Sequence, residues 1–369
     1  MKIAYDYQAF TNESYGGISR YYKDLIEELL KQGQEANIFA GIHRNFYISL
    51  LPDEVIHGVK LNGYPPKSRW AFRLFNHLIC QLQTQRWKPD IIHETYYSTL
   101  PVLKKNVARI TSVHDMITEL YPQKKSSQKN VTDHKKKTLS RVDHIISVSE
   151  NTKRDLITLF GIDESKISVV HHGFNSSLFQ NIGSNFDLPN KPYLLYVGSR
   201  SAYKNFSGFI KAVASSSLLK KNFNLVVISS KFSNSEKNFI SSLGFKFDQV
   251  KQISNITDLQ LAQFYRHASA FIYPSLYEGF GLPPLEAMSA GCPVVCSNTS
   301  SIPEVVNNAG VYFNPHDIEE IRNAIERVVF SEDLKNKLVK LGYENIKNFS
   351  TSKCASKTLE VYSRLVGKV

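Results

Sequence analysis

The chain has 369 residues, of which 42% are hydrophobic and 12% aromatic. Because this is longer than a typical single domain, the length predicts two domains. No run of about 18 or more apolar residues occurs, which argues against a membrane-spanning helix. The formal charge of +12 is spread over both halves, unlike the concentrated patch of a dedicated nucleic-acid-binding protein, so we expect anionic partners such as nucleotides or acidic membranes and no nucleic acid.

Cysteine usage and the first residues indicate an intracellular location. The cysteines, Cys80, Cys292, Cys296 and Cys354, are too few and too scattered for a disulfide framework. From Met1 the sequence enters strand-like residues directly, without the pattern of a signal peptide. The expected location is the cytoplasm.

Strand-like and helix-like segments alternate along the chain, a pattern typical of α/β layers with parallel sheets. Lys2–Tyr7 is predicted as the first strand and Gly17–Gln32 as the first helix, in which Ile18, Tyr22 and Leu25 recur at helical spacing. Further strands of a first series are predicted at Ala36–Ala40, Asp90–His93, Ile110–His114, His144–Val148 and Ile167–His171.

A second series of strands follows a stretch rich in Asn, Ser, Gly and Pro, residues 175–192, which we interpret as a linker. Its strands are predicted at Tyr193–Gly198, Leu225–Ser229, Ala270–Tyr273, Pro293–Ser297 and Gly310–Phe313. The two series predict an N-terminal domain over residues 1–180 and a C-terminal domain over residues 186–350. The tail, residues 351–369, has helical periodicity.

The segment between Glu54 and Asp90 contains no acidic residue but several basic ones, Lys60, Lys67, Arg69, Arg73, Arg86 and Lys88. It also holds an apolar-rich helix with Trp70, Phe72, Leu74, Phe75, Leu78, Ile79 and Leu82. A basic helix with exposed Trp and Phe can lie in a membrane interface. The alternative is that its apolar face packs against the sheet of the first domain. A second basic stretch, residues 124–141, is interpreted as a solvated loop or helix face.

Two glycines, Gly16 and Gly17, follow the first predicted strand and precede the first helix. Paired glycines at such a junction permit close approach of the backbone to a ligand. The run is neither a Gly-x-Gly-x-x-Gly fingerprint nor a P-loop, which would end in Gly-Lys-Ser/Thr. A ligand-facing loop and an ordinary turn are both compatible with it.

His114 and Asp115 end another predicted strand, so we expect them at the carboxyl edge of the sheet, where ligands bind in open α/β folds. A buried structural histidine is the competing interpretation of His114. His93 and Glu94 also end a strand and are candidates for contact with an acceptor. Ser149 is predicted to cap the N-terminus of a helix.

Two cations, Arg200 and Lys204, follow the predicted strand that ends at Gly198. Fixed cations at such a position can stabilise negative charge on a phosphate. The chain contains no Asp-x-Asp pair of the kind that holds a divalent ion on a diphosphate, and no zinc-type spacing of His and Cys. We therefore expect no metal.

The most informative run is Tyr277-Glu278-Gly279-Phe280-Gly281-Leu282-Pro283-Pro284-Leu285-Glu286. Its glycines let the backbone approach a ligand, and its prolines suit a first helical turn. The run predicts a tight loop and a helix N-terminus, whose unpaired N–H groups favour a phosphate or sugar oxygen. Glu286 is expected in the first turn, where it can accept hydrogen bonds from a vicinal diol, and Glu278 on the loop. The alternative is a turn before an ordinary surface helix.

This run, extended from Tyr273-Pro274-Ser275 to Pro303-Glu304-Val305, resembles the donor-site sequence of the retaining GT-B glycosyltransferases of family 4. The resemblance implies an α/β GT-B fold, with two Rossmann-like domains whose parallel sheets face each other across a cleft. It also implies that the C-terminal helix crosses back onto the first domain. The implied activity is retaining, metal-independent hexosyl transfer, with a nucleotide sugar as substrate and no cofactor.

The resemblance assigns roles to single residues, with Tyr203 standing where many members carry an arginine. It implies catalytic roles for Lys204 and Arg200 on the donor diphosphate, for Glu278 on the sugar hydroxyls and for His114 close to the transferred sugar. Implied donor-binding residues are Glu286 on the ribose diol, Gly279, Phe280, Gly281 and Leu282 through their N–H groups, Gly16 and Gly17 near the phosphates, and Ile253 and Ser254 at the nucleobase.

The runs Tyr15–Arg20 and Glu94-Thr95-Tyr96-Tyr97 resemble bacterial surface-polysaccharide transferases of the O-antigen and lipopolysaccharide kind. This favours GDP-mannose as donor, with a UDP-hexose as alternative, and a glycan or polyprenyl-linked oligosaccharide as acceptor. Such an acceptor suits peripheral contact with the acidic inner face of a membrane through the basic residues 60–88. Two other functions stay open: a nucleotide-sugar 2-epimerase, which would need further acid/base carboxylates, and a non-catalytic nucleotide-sugar-binding protein.

Overall fold

The computed structural model describes residues 1–12, 14–65, 68–102, 106–122, 126–180, 188–246 and 248–367. The chain forms two compact units. The first comprises Met1–Gly173 together with Thr351–Val369, and the second comprises Phe174–Ser350. Each unit contains its own parallel sheet, so the α/β class predicted from the alternating pattern is confirmed.

The first unit is built on a seven-stranded parallel sheet with the order β3-β2-β1-β4-β5-β6-β7. Its strands are β1 (Lys2–Tyr5), β2 (Glu35–His43), β3 (Ile56–Lys60), β4 (Ile91–Glu94), β5 (Ala108–Val113), β6 (His144–Ser147) and β7 (Ile167–Val169). At the centre of the sheet, Ile3 of β1 pairs with Ala36 on one side and Ile91 on the other. The central strands are buried on both faces, as is typical of parallel sheets covered by helices.

The second unit is built on a six-stranded parallel sheet with the order β10-β9-β8-β11-β12-β13. Its strands are β8 (Tyr193–Val197), β9 (Asn224–Ile228), β10 (Val250–Ile253), β11 (Ala270–Tyr273), β12 (Val294–Ser297) and β13 (Gly310–Phe313). The strand order reverses between β8 and β11, and ligands of open α/β sheets bind beyond the carboxyl ends of strands at such a point.

Helices cover both sheets. In chain order they are α1 (Gln8–Asn12), α2 (Gly17–Lys31), α3 (Arg69–Trp87), α4 (Ile117–Leu120), α5 (Ser126–Arg141), α6 (Glu150–Phe160), α7 (Ser177–Gln180), α8 (Phe206–Ala214), α9 (Ser217–Asn222), α10 (Asn234–Ser242), α11 (Asp258–His267), α12 (Leu282–Ser289), α13 (Ile302–Val306), α14 (Ile318–Val329), α15 (Glu332–Ile346) and α16 (Thr351–Val366). The helices α1–α6 and α16 belong to the first unit, and α7–α15 to the second. No helix in these described ranges is both long and apolar enough to cross a bilayer.

The C-terminal helix α16 is part of the first unit because its apolar stripe completes that unit's core. Ala355, Val361 and Tyr362 are buried in the same cluster as Leu25 and Ile26 of α2. The residues recur at helical spacing, so one face of α16 packs against α2 while the other stays in solvent.

A polar network ties α16 to the strands of the first sheet. The buried His93 of β4 hydrogen-bonds through Nδ1 to the Tyr362 hydroxyl at 2.6 Å and through Nε2 to Ser112 Oγ at 3.0 Å. The Tyr22 hydroxyl lies 3.3 Å from the same Nε2, and the Tyr5 and Tyr362 hydroxyls are 3.1 Å apart. Both ring nitrogens are thereby satisfied inside the core. These contacts favour a structural role for His93 over the predicted contact with an acceptor.

The predicted linker, residues 175–192, lies partly in residues 181–187, outside the described residues. Its first part folds as α7 onto the second unit. Ser289 donates to the Ser176 carbonyl at 2.9 Å, and Arg266 donates to the Gln180 carbonyl at 3.2 Å. These contacts explain why the second unit begins at Phe174, whereas the predicted first domain extended to residue 180.

Burial sets the expected pH dependence of stability at His93, because it lowers the pKa of this imidazole from 6.5 to about 3. Below about pH 6.5 the unfolded chain therefore binds a proton that the folded chain does not. The free energy of unfolding accordingly decreases as the pH is lowered. Between about pH 7 and about pH 5 we expect the wild type to lose about 2 kcal/mol more than His93→Gln. Urea titrations at both pH values measure this, and equal losses would contradict it.

Candidate functional site

Lys204 and Glu278 form an ion pair in the second unit. Lys204 Nζ lies 2.7 Å from Glu278 Oε1, and the two side chains are only 17% and 9% exposed. Lys204 ends a short 3-10 turn, Ala202–Lys204, that follows β8. The Tyr203 carbonyl accepts a hydrogen bond from the Leu276 N–H at 2.7 Å, which ties this turn to the loop that carries Glu278. The structure thus brings together two of the residues implied to be catalytic.

Aromatic side chains enclose this ion pair. The Lys204 ammonium lies 5.5 Å from the ring centroid of Tyr203 and 5.8 Å from that of Tyr273, within the range of cation–π attraction. Burial, followed by the adjacent Glu278 carboxylate, holds the pKa of Tyr273 well above 10, so its hydroxyl stays protonated beside that carboxylate. Sequence reasoning gave Tyr273 no role, although its place at the carboxyl end of a central strand could have identified it.

Two serines that follow β12 hold the loop of Glu278. Ser300 Oγ accepts from the Glu278 N–H at 3.0 Å and donates to the Glu278 carbonyl at 2.6 Å. Ser301 Oγ contacts the carbonyls of Glu278 at 2.9 Å and Phe280 at 2.7 Å. The backbone is therefore fixed on both sides of Gly279 without any ligand. Sequence reasoning missed both serines, and no motif or spacing marks them.

The loop ends at Gly281, whose φ of 119° lies in the region that favours glycine. Pro283 and Pro284 occupy the first turn of α12, as predicted, and have no N–H. None of the residues that the structure describes accepts a hydrogen bond from the N–H groups of Gly281 or Leu282. The Phe280 ring is buried against Phe349, which leaves only the main chain of Phe280 for ligand contact. Two main-chain donors at a helix N-terminus can thus receive an anion.

Glu286 lies in the second turn of α12, and the expectation that it belongs to the first turn is wrong. The reason is that the helix begins at Leu282, with both prolines inside it. Glu286 Oε2 accepts a hydrogen bond from the buried Tyr265 hydroxyl of α11 at 3.1 Å. Burial, followed by the charge of Glu286, holds the pKa of Tyr265 well above 10, so this donor is permanent. The carboxylate is oriented by the protein before any diol binds.

Arg200 is engaged in a different network from that of Lys204. Its guanidinium pairs with Glu236 of α10 through two nitrogens and donates to the carbonyls of Ser230 at 2.8 Å and Lys231 at 3.0 Å. These contacts use four of its five N–H groups. Hydrogen bonding from Arg200 also lowers the pKa of Glu236 to about 2. The geometry favours a structural role for Arg200 over the implied contact with a diphosphate.

Ile253 and Ser254, implied at the nucleobase, lie where the edge strand β10 ends. The Ile253 carbonyl accepts a hydrogen bond from the Ser229 N–H at 2.9 Å. Asn255 follows with a φ of 58°, which turns the chain sharply after the strand. Both residues are half-buried and belong to the same carboxyl edge as Lys204 and Tyr273.

Gly16 and Gly17 lie in the first unit, at the N-terminus of α2 as predicted. Gly16 is the N-cap with an extended backbone, and its carbonyl accepts from Ser19 Oγ at 3.0 Å and the Arg20 N–H at 3.1 Å. A Cβ at Gly17 would meet no atom within 4 Å among the described residues. This open space is what close approach of a ligand to the helix start requires.

His114 follows β5 in the first unit and stacks on His172, with ring centroids 5.2 Å apart and Nδ1 3.3 Å from His172 Nε2. Its own Nε2 is buried and has no hydrogen-bond partner in the described part of the chain. Burial, followed by the neighbouring His172, holds the pKa of His114 well below 6.5. A neutral imidazole with one unsatisfied nitrogen is suited to bind a hydroxyl group.

Other residues of the first unit have structural roles. Glu94 is buried and pairs with Arg141 through both carboxylate oxygens, so it is not positioned for acceptor contact. Lys135 is buried and lies 2.8 Å from Glu119, so the interpretation of residues 124–141 as solvated is wrong at this position. Ser149 caps α6 by accepting from the Thr152 N–H, as predicted. Among the residues described, no group of three or more His, Cys, Asp or Glu side chains is arranged to hold a metal.

The buried ion pair predicts coupling between Lys204 and Glu278 in stability. Either single variant, Lys204→Met or Glu278→Gln, leaves its partner without a counter-charge and should lower the free energy of unfolding by about 1–3 kcal/mol. The double variant should lose less than the sum of the singles, by about 1 kcal/mol. Urea unfolding of the four proteins measures this, and additivity within about 0.3 kcal/mol would argue against the pair.

Two family models match the chain. The model described as Glycosyltransferase Family 4 matches residues 15–178, and the model described as Glycosyl transferases group 1 matches residues 181–345. The first match lies mainly in the first structural unit and the second lies within the second unit.

Similar curated proteins include O-antigen chain mannosyltransferase B of Escherichia coli, which is 28% identical over 270 residues. The match covers 69% of this chain and 70% of that protein. The O-antigen chain mannosyltransferase RfbU of Salmonella typhimurium is 27% identical over 259 residues with the same coverage. The MMP alpha-(1->4)-mannosyltransferase of Mycolicibacterium hassiacum is 24% identical over 408 residues, covering 96% of each chain.

Solved structures agree on the fold. Sucrose-phosphate synthase from Thermosynechococcus elongatus matches with a TM-score of 0.78 at 20% identity, covering 100% of this chain and 99% of that one. WaaG, a glycosyltransferase involved in lipopolysaccharide biosynthesis, matches with a TM-score of 0.70 at 14% identity, covering 98% and 99%. With the two matched models and the paired parallel sheets, these likenesses show that the chain belongs to the family 4 glycosyltransferases of GT-B fold and is similar to bacterial polysaccharide mannosyltransferases.

Proposed function

We propose that this glycosyltransferase moves a hexose, with mannose favoured, from a nucleotide diphosphate sugar to a hydroxyl of a glycan or lipid-linked oligosaccharide, with retention of configuration. The observation that carries the proposal is the Lys204–Glu278 ion pair, which lies just before a helix start with two available N–H donors. A cation, a carboxylate and main-chain donors are the groups that a charged diphosphate and a sugar require.

Lys204 is proposed to stabilise the leaving diphosphate. Negative charge grows on the leaving oxygen as the sugar–phosphate bond breaks, and a cation held in a mostly buried site stabilises it strongly. Lys204 is already oriented by Glu278 and two aromatic rings, so little reorganisation is needed when the donor binds. The N–H groups of Gly281 and Leu282 would share this charge without a metal.

Glu278 and Glu286 are proposed to bind the two ends of the donor. When a diphosphate competes for Lys204, Glu278 is left to accept hydrogen bonds from the sugar hydroxyls. Glu286, held by the Tyr265 hydroxyl, would accept from the ribose diol. Ile253 and Ser254, at the same sheet edge, would contact the nucleobase through the main chain.

Retention is proposed to follow from attack on the face that the diphosphate leaves. No residue of the candidate site stands out as a nucleophile for the opposite face of the sugar, so a diphosphate oxygen would take the acceptor proton. Neutral His114 of the first unit, with its unsatisfied Nε2, would bind a hydroxyl group. This scheme needs no metal, in keeping with the lack of an Asp-x-Asp pair in the sequence.

The choice of GDP-mannose rests on relatives. Two similar curated proteins are named as O-antigen chain mannosyltransferases. A UDP-hexose stays the alternative, because Anabaena HepE, a fold neighbour with a TM-score of 0.74, is described in complex with UDP-glucose. Surface-polysaccharide synthesis also suggests a lipid-linked acceptor and a cytoplasmic enzyme that works at the inner face of a membrane.

Calorimetric titration with GDP, UDP and their sugars tests the donor. We expect GDP and GDP-mannose to bind more tightly than UDP and UDP-glucose, and NMR of the product from GDP-α-mannose to show an α-linked mannoside. Tighter UDP binding would overturn the mannosyl assignment while leaving sugar transfer intact, and a β-linked product would overturn retention. Release of a 2-epimeric sugar without an acceptor would support the epimerase alternative.

Turnover of site variants tests the residue roles. Lys204→Ala and Glu286→Ala should each lower kcat/KM for the donor identified by calorimetry by about 100-fold or more, because each removes a preorganised charged contact. Lys337→Ala, at an exposed lysine of α15, is the matched control and should retain wild-type turnover. Melting temperatures confirm that each variant is folded. Near-wild-type turnover in folded Lys204→Ala would contradict the proposed function.

A further inference from the structure

The helix α3 of the first unit presents its polar side to the sheet. Asn76, Cys80 and Thr84 recur at a spacing of four residues and are buried. The Asn76 side chain hydrogen-bonds to the Ile42 N–H at 2.7 Å and to the Ile42 carbonyl at 2.8 Å, which ties the helix to β2. A helix that covers a sheet ordinarily buries its apolar stripe. In α3 the polar Asn76 and Thr84 are buried instead, with Cys80 between them in an apolar cluster.

The outward face of α3 is apolar. Trp70 is 72% exposed, and Leu74, Phe75, Leu78 and Leu82 are 45–54% exposed. Trp70, Leu74, Leu78 and Leu82 follow one another at intervals of four, and Phe75 precedes Leu78 by three. These five side chains form one continuous stripe along the helix, which we call the α3 stripe. The interpretation in which this apolar face packs against the sheet is therefore wrong. An exposed apolar patch of this extent marks an interaction surface.

The segment that carries the α3 stripe is basic. No acidic residue occurs between Glu54 and Asp90. Lys60, Arg86 and Lys88 are exposed, and Arg86 follows Leu82 by one further interval of four. Lys67 and the side chain of Arg69 lie outside the described residues. A second copy of the chain would bring this basic segment against itself, whereas an anionic surface would neutralise it.

A small cavity with two arginines opens beside Trp70. Its volume is about 340 Å³, and it is lined by Thr11, Arg44, Tyr64, Trp70, Phe72, Arg73 and Asn76. The Arg44 guanidinium lies 5.6 Å from the Tyr64 ring centroid, and Arg73 donates to Ser98 Oγ at 3.2 Å. Guanidinium groups held by packing in this way are suited to phosphate oxygens. Trp70 belongs to both the cavity and the stripe, so an anionic site adjoins an apolar one.

We propose that the α3 stripe is the surface by which this protein binds an anionic lipid bilayer. The five apolar side chains of the stripe would enter the boundary between headgroups and acyl chains, where Trp and Leu contribute most to interfacial binding. Arg44 and Arg73 would face lipid phosphates at one end of the helix, and Arg86 and Lys88 at the other. The proposal does not depend on the identity of the sugar donor.

Sedimentation of the full chain with vesicles tests the proposal. We expect binding to vesicles of phosphatidylcholine with about 30% phosphatidylglycerol, weakened by roughly tenfold or more in phosphatidylcholine alone or at about 0.5 M salt, because screening removes the charge term. Trp70 provides a direct readout, since its emission should shift to the blue on binding. The shift should be absent in Trp70→Phe.

Variants of the stripe separate membrane binding from folding. Leu74→Ser with Leu78→Ser should weaken binding to the anionic vesicles by about tenfold or more, because two apolar contacts are lost. Leu218→Ser with Leu259→Ser is the matched control, since both leucines are similarly exposed in the second unit. The control should bind as the wild type does, and neither variant should change donor affinity.

Three outcomes would overturn the proposal. The first is the absence of sedimentation and of a blue shift with anionic vesicles. The second is equal loss of binding in the stripe variant and the matched control, which would assign binding to general apolar exposure. The third is a concentration-dependent dimer of the wild type that Leu74→Ser with Leu78→Ser abolishes, which would assign the stripe to a second copy of the chain.

Discussion

The candidate site depends on one buried electrostatic contact, between Lys204 and Glu278. A charge in a mostly buried position is stable only with a partner, so each of these side chains holds the other in place. Ser300 and Ser301 fix the backbone that carries Glu278, and Lys204 Nζ contacts its carboxylate. In the proposed function, sugar-nucleotide chemistry would start from this preorganised cation, whose counter-charge a diphosphate would replace.

The first unit uses buried polar groups for a different purpose. His93 joins β4 to α16 through Tyr362, and Asn76 joins α3 to β2, so hydrogen bonds inside the core specify which elements meet. Because the buried side of α3 carries Asn76 and Thr84, its apolar side faces outward. The basic residues of this segment favour an anionic surface over a second copy of the chain as the partner. The unit thus combines a conventional parallel sheet with a helix whose outer face is unusual for a chain without a partner.

Elements with a strong apolar pattern were predictable, whereas two of the four edge strands were missed. The central strands β1, β4 and β5 are buried on both faces and read as apolar runs. The strands β3 and β10 lie at the sheet edges, carry partly exposed residues and were not predicted. The helical periodicity of residues 351–369 likewise indicated a helix. The sequence did not show the hydrogen-bond network around His93 that joins this helix to the sheet.

The sequence alone determined the α/β class and the loop and helix start around Gly281, because apolar patterning, glycine and proline act locally along the chain. Its resemblance to family 4 singled out Lys204 and Glu278 as candidate site residues. Only the tertiary structure decided their partners. Lys204 meets Glu278 across 74 positions, whereas Arg200, with the same charge and nearly the same place in the chain, is bound by Glu236. Which carboxylate a cation reaches depends on how strands are ordered in the sheet, and that order is set by packing between segments far apart in sequence.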